Sequence, residues 1–313
     1  MRRVRSDPVI AAAEVIWDEW SFLLLRAAFL RARRFDDFIQ AAPISRNRLA
    51  QRLTSLVEHG LFEKHIDGHF PIYRLTERAF ALYPVIVMLL RWAQQAQGMA
   101  RPTLELLHEG SHPLVPQVEC RFCHGVISAS DVRYQVDNDQ SATPLAEPAQ
   151  RRRRFRHSTD DSNQARIGID AELSFALDAI GDRWSVLVLR SVFIGNTRFD
   201  AIQADLGIAR NILSDRLARL EQHTLLTREI YSTRPPRSEY RLAPRALSLY
   251  PVIVALMAWS TQWLPQPAST IHLWHKPCGK RLQVNIRCAG CSGQIDARTV
   301  SVEHTSGVAV AAV

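Results

Sequence analysis

The sequence predicts a mainly α chain with small β-hairpins, in which one helical unit occurs twice and each copy is followed by a short β segment that carries cysteines. Three observations predict it. Whole stretches of the first half recur in the second, hydrophobic spacing is helical over most of each copy, and four of the five cysteines fall in C-x-x-C pairs at matching places.

The repeat is read directly. "WDEWSFLLLRAAFLRARRFDDF" (17–38) matches "IGDRWSVLVLRSVFIGNTRFDAI" (180–202), so that Trp20 answers Trp184, Arg26 answers Arg190 and Phe35 answers Phe199. "ISRNRLAQRLTSLVEHGLF" (44–62) matches "IARNILSDRLARLEQHTLL" (208–226), and "YRLTERAFALYPVIVMLLRW" (73–92) matches "YRLAPRALSLYPVIVALMAW" (240–259). Cys120 and Cys123 recur as Cys288 and Cys291. A chain of 313 residues with 47% hydrophobic residues has enough apolar material for the two or three domains this implies. Six segments follow: a helical unit over 1–98, a degenerate ribbon-like segment over 99–134, a linker over 135–166, a second helical unit over 167–265, a zinc-ribbon-like segment over 266–300 and a tail over 301–313. The linker is polar and contains proline, with too little apolar content to bury a core, and Arg151–Arg154 form a basic run inside it.

The elements of the second copy come in a fixed order. "ALDAIGDRWSVLVLRSVF" has helical spacing with a Gly-Asp break before Trp184, and "RFDAIQADLG" reads as a short helix stopped by Gly207. "ARNILSDRLARL" (209–220) places Leu213, Leu217 and Leu220 on one face at 100° per residue, as Leu49, Leu53 and Leu56 are placed in the first copy. "LLTREIYSTRPPRSEYRLA" alternates and is broken by "RPPR", which predicts a hairpin, and a long amphipathic helix over roughly 243–263 closes the unit. Three helices, a hairpin and a helix make a winged helix-turn-helix. The fold class is therefore two winged helix-turn-helix domains, each followed by a small zinc-ribbon-like β segment.

In that fold the third helix is the reading helix. Its solvent side carries Asn211, Ser214 and Asp215 in the second copy and Asn47 and Gln51 in the first, with Arg210, Arg216, Arg46, Arg48 and Arg52 around them. Short polar groups flanked by arginines suit a major groove, the middle reaching base edges and the flanks reaching phosphates. The second hairpin adds Arg234 and Arg237 around Pro235-Pro236, whereas the first, "HIDGHFPIYRL", is shorter and has no arginine before Arg74. His59 and His223, at matching places after the reading helices, read as C-terminal caps.

Both copies resemble the HxlR-type bacterial transcription regulators, a winged-helix group, over roughly 14–97 and 173–264. The second copy is the closer, through "DRWSVLVLRSVFIGNTRFDAI", "GIARNILSDRLARLE" and "RPPRSEYRLAPRALSLYPVIVALMAW", while the first has "DEW" for "DRW" and a short wing. The resemblance implies binding of double-stranded DNA as a homodimer joined by terminal helices. For a chain with two copies it implies either that or an intrachain pseudo-dimer, joined through the helices that start near Tyr83 and Tyr250.

The cysteines add a second theme. In "HLWHKPCGKRLQVNIRCAGCSGQI" the spacing His275-x2-Cys278-x9-Cys288-x2-Cys291 gives two knuckles joined by a β-like segment, the pattern by which a small ribbon holds zinc. A tail of that size has no core of its own, so metal would supply the stability. Gly279 and Gly290 are expected to relieve the knuckle turns. The first copy offers His108, His112, Cys120 and Cys123 as a second set of four, with reduced thiols or a reversible disulfide as alternatives at both places.

The bulk numbers agree with a nucleic-acid partner. Net charge is +8, with a pI near 9.6. No apolar run reaches the ~20 residues of a membrane span. The N-terminus is interrupted by Asp7, Pro8 and Glu14, which reads as a cytosolic start and points to a cytoplasmic, nucleoid-associated bacterial protein. No Gly-rich phosphate loop, H-E-x-x-H or nucleophile–base pair is present, so neither an enzyme nor an organic cofactor is expected, and no small-molecule effector is indicated. The expected function is a sequence-specific regulator acting on an imperfect inverted repeat. The alternatives are a metal- or thiol-responsive regulator that uses the Cys/His clusters, and a protein-interaction scaffold that has lost DNA binding.

Overall fold

The structure, a computed structural model, describes residues 7–98, 104–136, 171–233, 236–265, 271–304 and 309–310. The first copy begins with α1 (Pro8–Val15), whose start is set by the Asp7 side chain accepting from the Val9 and Ile10 amides. It continues through α2 (Glu19–Phe29), α3 (Phe35–Ala41), α4 (Arg46–Glu58), the hairpin β1 (Phe62–Asp67) and β2 (Phe70–Leu75), a short α5 (Glu77–Phe80) and α6 (Tyr83–Gln97). The second copy repeats the plan as α7 (Ala171–Ile180), α8 (Arg183–Phe193), α9 (Phe199–Leu206), α10 (Arg210–Gln222), β7 (Leu226–Thr233), β8 (Pro236–Leu242) and α11 (Pro244–Trp263). The closing helix is split in the first copy and continuous through Pro251 in the second.

Both copies are built from helices in the same way. Asp18 and Asp182 each cap the second helix by accepting from two backbone amides and from Ser21 or Ser185. Leucines at helical spacing on α4 and α10 are fully buried, as the sequence predicts.

The copies do not stand apart. One continuous apolar core contains residues from both. α1 packs on α8 and α11 of the second copy, while α7 packs on α6 of the first, so the leading helices are exchanged. α6 and α11 lie against each other, and reciprocal bonds join the closing helices: the Trp92 indole donates to the Arg245 carbonyl at 3.0 Å, and its counterpart Trp259 donates to the carbonyl of Arg78 on α5 at 2.9 Å. Asp18 and Asp182, equivalent residues, meet in an antiparallel bridge. One buried ionic contact lacks this symmetry. Arg190 on α8 bonds Asp205 at 2.5 Å and also Asp7 of the exchanged α1.

The β segments are interleaved as well. β3 (Leu104–His108), β4 (His112–Pro113), β5 (Pro116–Cys120) and β6 (Val132–Val136) belong to the first copy. β9 (Ile271–His275), β10 (Lys280–Arg281), β11 (Val284–Cys288) and β12 (Val300–His304) are their counterparts, and β13 (Ala309–Val310) follows. β3 pairs with β12, β6 with β9 and β5 with β11, so every one of these pairings joins the two copies. Val118 faces its counterpart Ile286 at the centre of the β5–β11 pair, which places a local two-fold axis there.

This corrects the expectation of two separate ribbons over 99–134 and 266–300. Each half-ribbon is too small to bury its own strands, and each finds its partner strands in the other copy. Val300–His304 is a strand, not part of a tail, and Gln135 and Val136 complete β6. The rest of the expected linker, with Arg151–Arg154, lies outside the described residues.

Candidate nucleic-acid interface and metal centres

The first candidate site is the outer face of α4 and α10. Asn47, Arg48, Gln51, Asn211, Ser214 and Asp215 are all exposed, opposite the buried leucines. The arginines that open the two helices are held alike. Arg46 bonds Asp36 at 2.8 Å and lies over the Phe35 ring, while Arg210 reaches Asp200 at 3.7 Å and lies over Phe199. Their side chains remain 70% and 72% exposed, so the guanidiniums are positioned by the preceding helix yet face solvent. Arg48 stacks over Trp20.

Arg52 and Arg216 depart from the sequence expectation. Arg216 is 16% exposed and donates to Asp182 at 2.8 Å and to Asp215 at 2.6 Å, and Arg52 is 27% exposed and pairs with Asp18 at 3.1 Å. Both arginines point inward, onto the carboxylate that caps the second helix, so they lock the reading helix to its own domain rather than reach for phosphate. The cause is proximity of the cap carboxylate, which helical periodicity does not reveal. The same bond explains the acid on the reading face of α10, because Asp215 is partnered by Arg216.

On the second wing, Arg237 is exposed at the start of β8, and Arg234 lies outside the described residues. Sequence reasoning missed that acids of the second wing engage nearby arginines: Arg241 on β8 bonds Glu229 at 2.9 Å, and Arg198, just before α9, bonds Glu239 at 3.0 Å. It also missed exposed apolar groups on both wings, Ile66 and Phe70 on the first and Ile230 and Tyr231 on the second. Strand alternation carries a signal for these.

The second candidate site is a pair of Cys/His clusters. His108, His112, Cys288 and Cys291 bring four ligand atoms within 4.8 Å of one another, and so do Cys120, Cys123, His275 and Cys278. All eight residues expected as ligands are used, but not in the expected sets. His275 and Cys278 do not join Cys288 and Cys291. The β9–β10 hairpin that carries the first pair is held by β6, whereas β11 leads away to β5 and delivers the second pair beside β3 and β4. His108 and His112 are separated from Cys120 and Cys123 for the same reason.

The donor atoms gather close to the spacing of a single tetrahedral ion, the sulfur–sulfur distance matching it and the sulfur–nitrogen distances falling somewhat short. Bonds of about 2.3 Å to sulfur and about 2.1 Å to nitrogen give tetrahedron edges of roughly 3.4–3.8 Å. Cys120 and Cys278 have their sulfurs 3.8 Å apart, and Cys123 Sγ and Cys278 Sγ each lie 3.3 Å from His275 Nδ1. In the other cluster Cys291 Sγ is 3.1 Å from His108 Nδ1, and Cys288 Sγ is 3.4 Å from His112 Nε2. All five cysteines are free thiols. His108, fully buried, has its Nε2 at 3.0 Å from the Gln294 carbonyl, which fixes that nitrogen as the donor and leaves Nδ1 as the ligand. His112 is oriented by Ser111 Oγ at 3.1 Å from its Nδ1. Ser111 stands where the second copy has Cys278, and here it supports a ligand instead of being one.

The two C-x-x-C knuckles are superposable in their backbone bonding. Cys120 N donates to Gly125 O and Cys288 N to Gly293 O, and His124 and Ser292, both at positive φ, close the turns onto Cys120 O and Cys288 O. Gly279 is at φ +65 as expected, but Gly290 is not left-handed. Its lack of a side chain matters because a Cβ there would meet His112 at 3.1 Å. Burial opposes ionisation of Cys288, but backbone groups of Val115, Gly290 and Cys291 together with His112 draw its pKa down to about 6. Thiolate at neutral pH is the form a metal takes.

The family model for HxlR-like helix-turn-helix proteins matches residues 15–100 and again 179–268, more than half of the chain. The chain belongs to the HxlR-like family. It is 40% identical over 133 residues to an uncharacterized HTH-type transcriptional regulator of Mycobacterium tuberculosis (strain ATCC 25618 / H37Rv), covering 42% of this chain and 84% of that protein. It is 27% identical over 101 residues to the HTH-type transcriptional regulator YodB of Bacillus subtilis (strain 168), covering 32% of this chain and 89% of that one. The crystal structure of PA1607, a candidate transcription factor, is 31% identical and aligns with 40% of this chain and 88% of its own, at a TM-score of 0.36. This HxlR-like protein is thus a transcriptional regulator of the helix-turn-helix type that carries the family's unit twice. No helix among the described residues is long and apolar enough to cross a membrane.

Proposed function

We propose that this HxlR-like regulator binds double-stranded DNA as an intrachain pseudo-dimer, with α4 and α10 each reading one half of an imperfect inverted repeat whose centres are ~34 Å apart, about one helical turn. The observation that carries the reading is the reciprocal pair of contacts between the closing helices, Trp92 of α6 to Arg245 of α11 and Trp259 of α11 to Arg78 of α5. Such contacts join two reading helices through equivalent surfaces, as a two-fold operator requires. Asn47 and Gln51 in one half, and Asn211 and Ser214 in the other, contact bases. Arg46, Arg48, Arg210 and the wing residues Arg234 and Arg237 contact phosphates. The protein acts in the cytoplasm, on the nucleoid.

Zinc is the ion that fits both Cys/His clusters, because mixed thiolate and imidazole donors at tetrahedral spacing suit it. A metal- or thiol-responsive regulator is the second reading. It is favoured by the packing of β5 and β11, which lead into the knuckles, on α6 and α11.

Selection of bound DNA from a random pool tests the first reading. The expected product is a site with two unequal halves one turn apart. Recovery of a single half-site, or of no preferred sequence, would sink it.

A further inference from the structure

The sets of four ligands are drawn across the repeat, and this points to a role for metal that neither copy could fulfil alone. We infer that the protein holds two zinc ions, each shared between the two copies, so that the ions act as cross-links clamping one half of the chain to the other. The inference rests on the reading of zinc as the bound ion.

One cluster takes both histidines from the first copy and both cysteines from the second. The other takes both cysteines from the first copy and His275 and Cys278 from the second. The exchange is symmetric. The loop after β3 and the loop after β9 are equivalent, and each reaches the C-x-x-C knuckle of the opposite copy. The strand pairings impose this, because β5 and β11 run antiparallel over Pro116–Cys120 and Val284–Cys288 and carry Cys120 and Cys288 to opposite ends of the pair. A ligand set drawn from one copy would have to span that pair.

Independent features point to an ion in each cluster. His108 is fully buried with its Nδ1 turned to Cys291 and its other nitrogen engaged by Gln294 O. His275 is buried too, with Nδ1 turned to Cys123 and Cys278 and no partner for Nε2 among the described residues. Gly293 leaves the room the first cluster needs, since a Cβ there would lie 2.9 Å from His108 and 3.1 Å from the Cys291 sulfur. Ligand atoms that all lie within 4.8 Å of one another leave no space for a multi-iron cluster. On binding, each cysteine that still holds its thiol proton gives it up to solvent and each histidine ligates as the neutral ring, so metal uptake releases protons and no redox partner is required.

Zinc content of the full-length protein and of two variants discriminates between the pairings. His108→Ala/His112→Ala/Cys288→Ser/Cys291→Ser removes one shared cluster, and one zinc per chain is expected to remain. His108→Ala/His112→Ala/Cys120→Ser/Cys123→Ser breaks both clusters, and no zinc is expected. The opposite pattern overturns the cross-copy pairing. A parent protein without zinc overturns the metal reading itself.

Because four substitutions can compromise folding, thiol alkylation followed by mass spectrometry on two single variants gives a second readout. His108→Ala is expected to raise labelling of Cys288 and Cys291 alone. His275→Ala is expected to raise labelling of Cys120, Cys123 and Cys278 alone. Any other pattern, uniform labelling of all five included, overturns the inference.

Discussion

At the scale of single residues, the arginines divide into those that hold the reading helix and those that are free to use it. Arg216 bonds the cap carboxylate Asp182 from a side chain only 16% exposed, whereas Arg210 is 72% exposed beside Asp200. Arg216→Ala is expected to cost about 2 kcal/mol of stability, the usual worth of a hydrogen bond to a charged group in a largely desolvated place. That loss is read as a fall in Tm with little change in the salt dependence of DNA binding. Arg210→Ala is expected to leave Tm nearly unchanged, since an exposed pair is worth about 0–1 kcal/mol. It is expected to weaken binding to all sequences and to flatten the salt slope by about 1. Asn211→Ala, lacking the amide that faces a base edge, is expected to lose about 1–3 kcal/mol at the selected site and almost nothing on random DNA. Competition titrations against both DNAs check it. The leucines behind these residues were legible in the sequence, because helical periodicity is local. The inward turn of Arg216 was not, because its partner lies 34 residues away on another helix.

At the scale of elements, the β segments show where local spacing stops informing. The eight ligand residues can be read from C-x-x-C, H-x-x-C and H-x-x-x-H spacing, since a knuckle is a local turn. Which knuckles share an ion depends on strand pairing between residues more than 150 apart, such as Cys120 and Val284, and a short strand in isolation does not specify its partner. Two consequences are measurable. Gly293→Ala would drive a methyl into His108 and Cys291, so it is expected to release metal from the Cys2His2 cluster while the Cys3His cluster keeps its ion. Metal analysis that shows one ion lost per chain checks this, and loss of both or neither contradicts it. The clusters also differ in donors, three thiolates against two. Thiolate is the softer and stronger donor for zinc, so a chelator titration is expected to strip one equivalent well before the other, His108 and His112 being the ligands freed first.

At the scale of the whole molecule, two copies in one chain remove a constraint that a homodimer obeys. Identical subunits present identical reading helices, but here Gln51 stands against Asp215, Thr54 against Ala218 and Arg48 against Ile212. The halves of the operator are therefore expected to differ. The duplicated plan is visible in the sequence, whereas the exchange of α1, α7 and the β strands between copies is not, because either arrangement buries the same apolar faces. That exchange decides how metal would act on DNA. The strands that carry the clusters pack on α6 and α11, which pack on each other across the copies, and in the proposed pseudo-dimer this contact sets the placement of α4 relative to α10. Loss of zinc would leave each winged helix folded around its own leucines but loosen the spacing between them. Binding to a two-half-site operator is expected to weaken on chelation by an order of magnitude or more, since the second half-site then loses its effective concentration. Binding to an isolated half-site is expected to stay the same. Equal loss on both DNAs would instead mean that metal supports each reading domain, and no loss on either would mean that the α6–α11 contact alone sets the spacing.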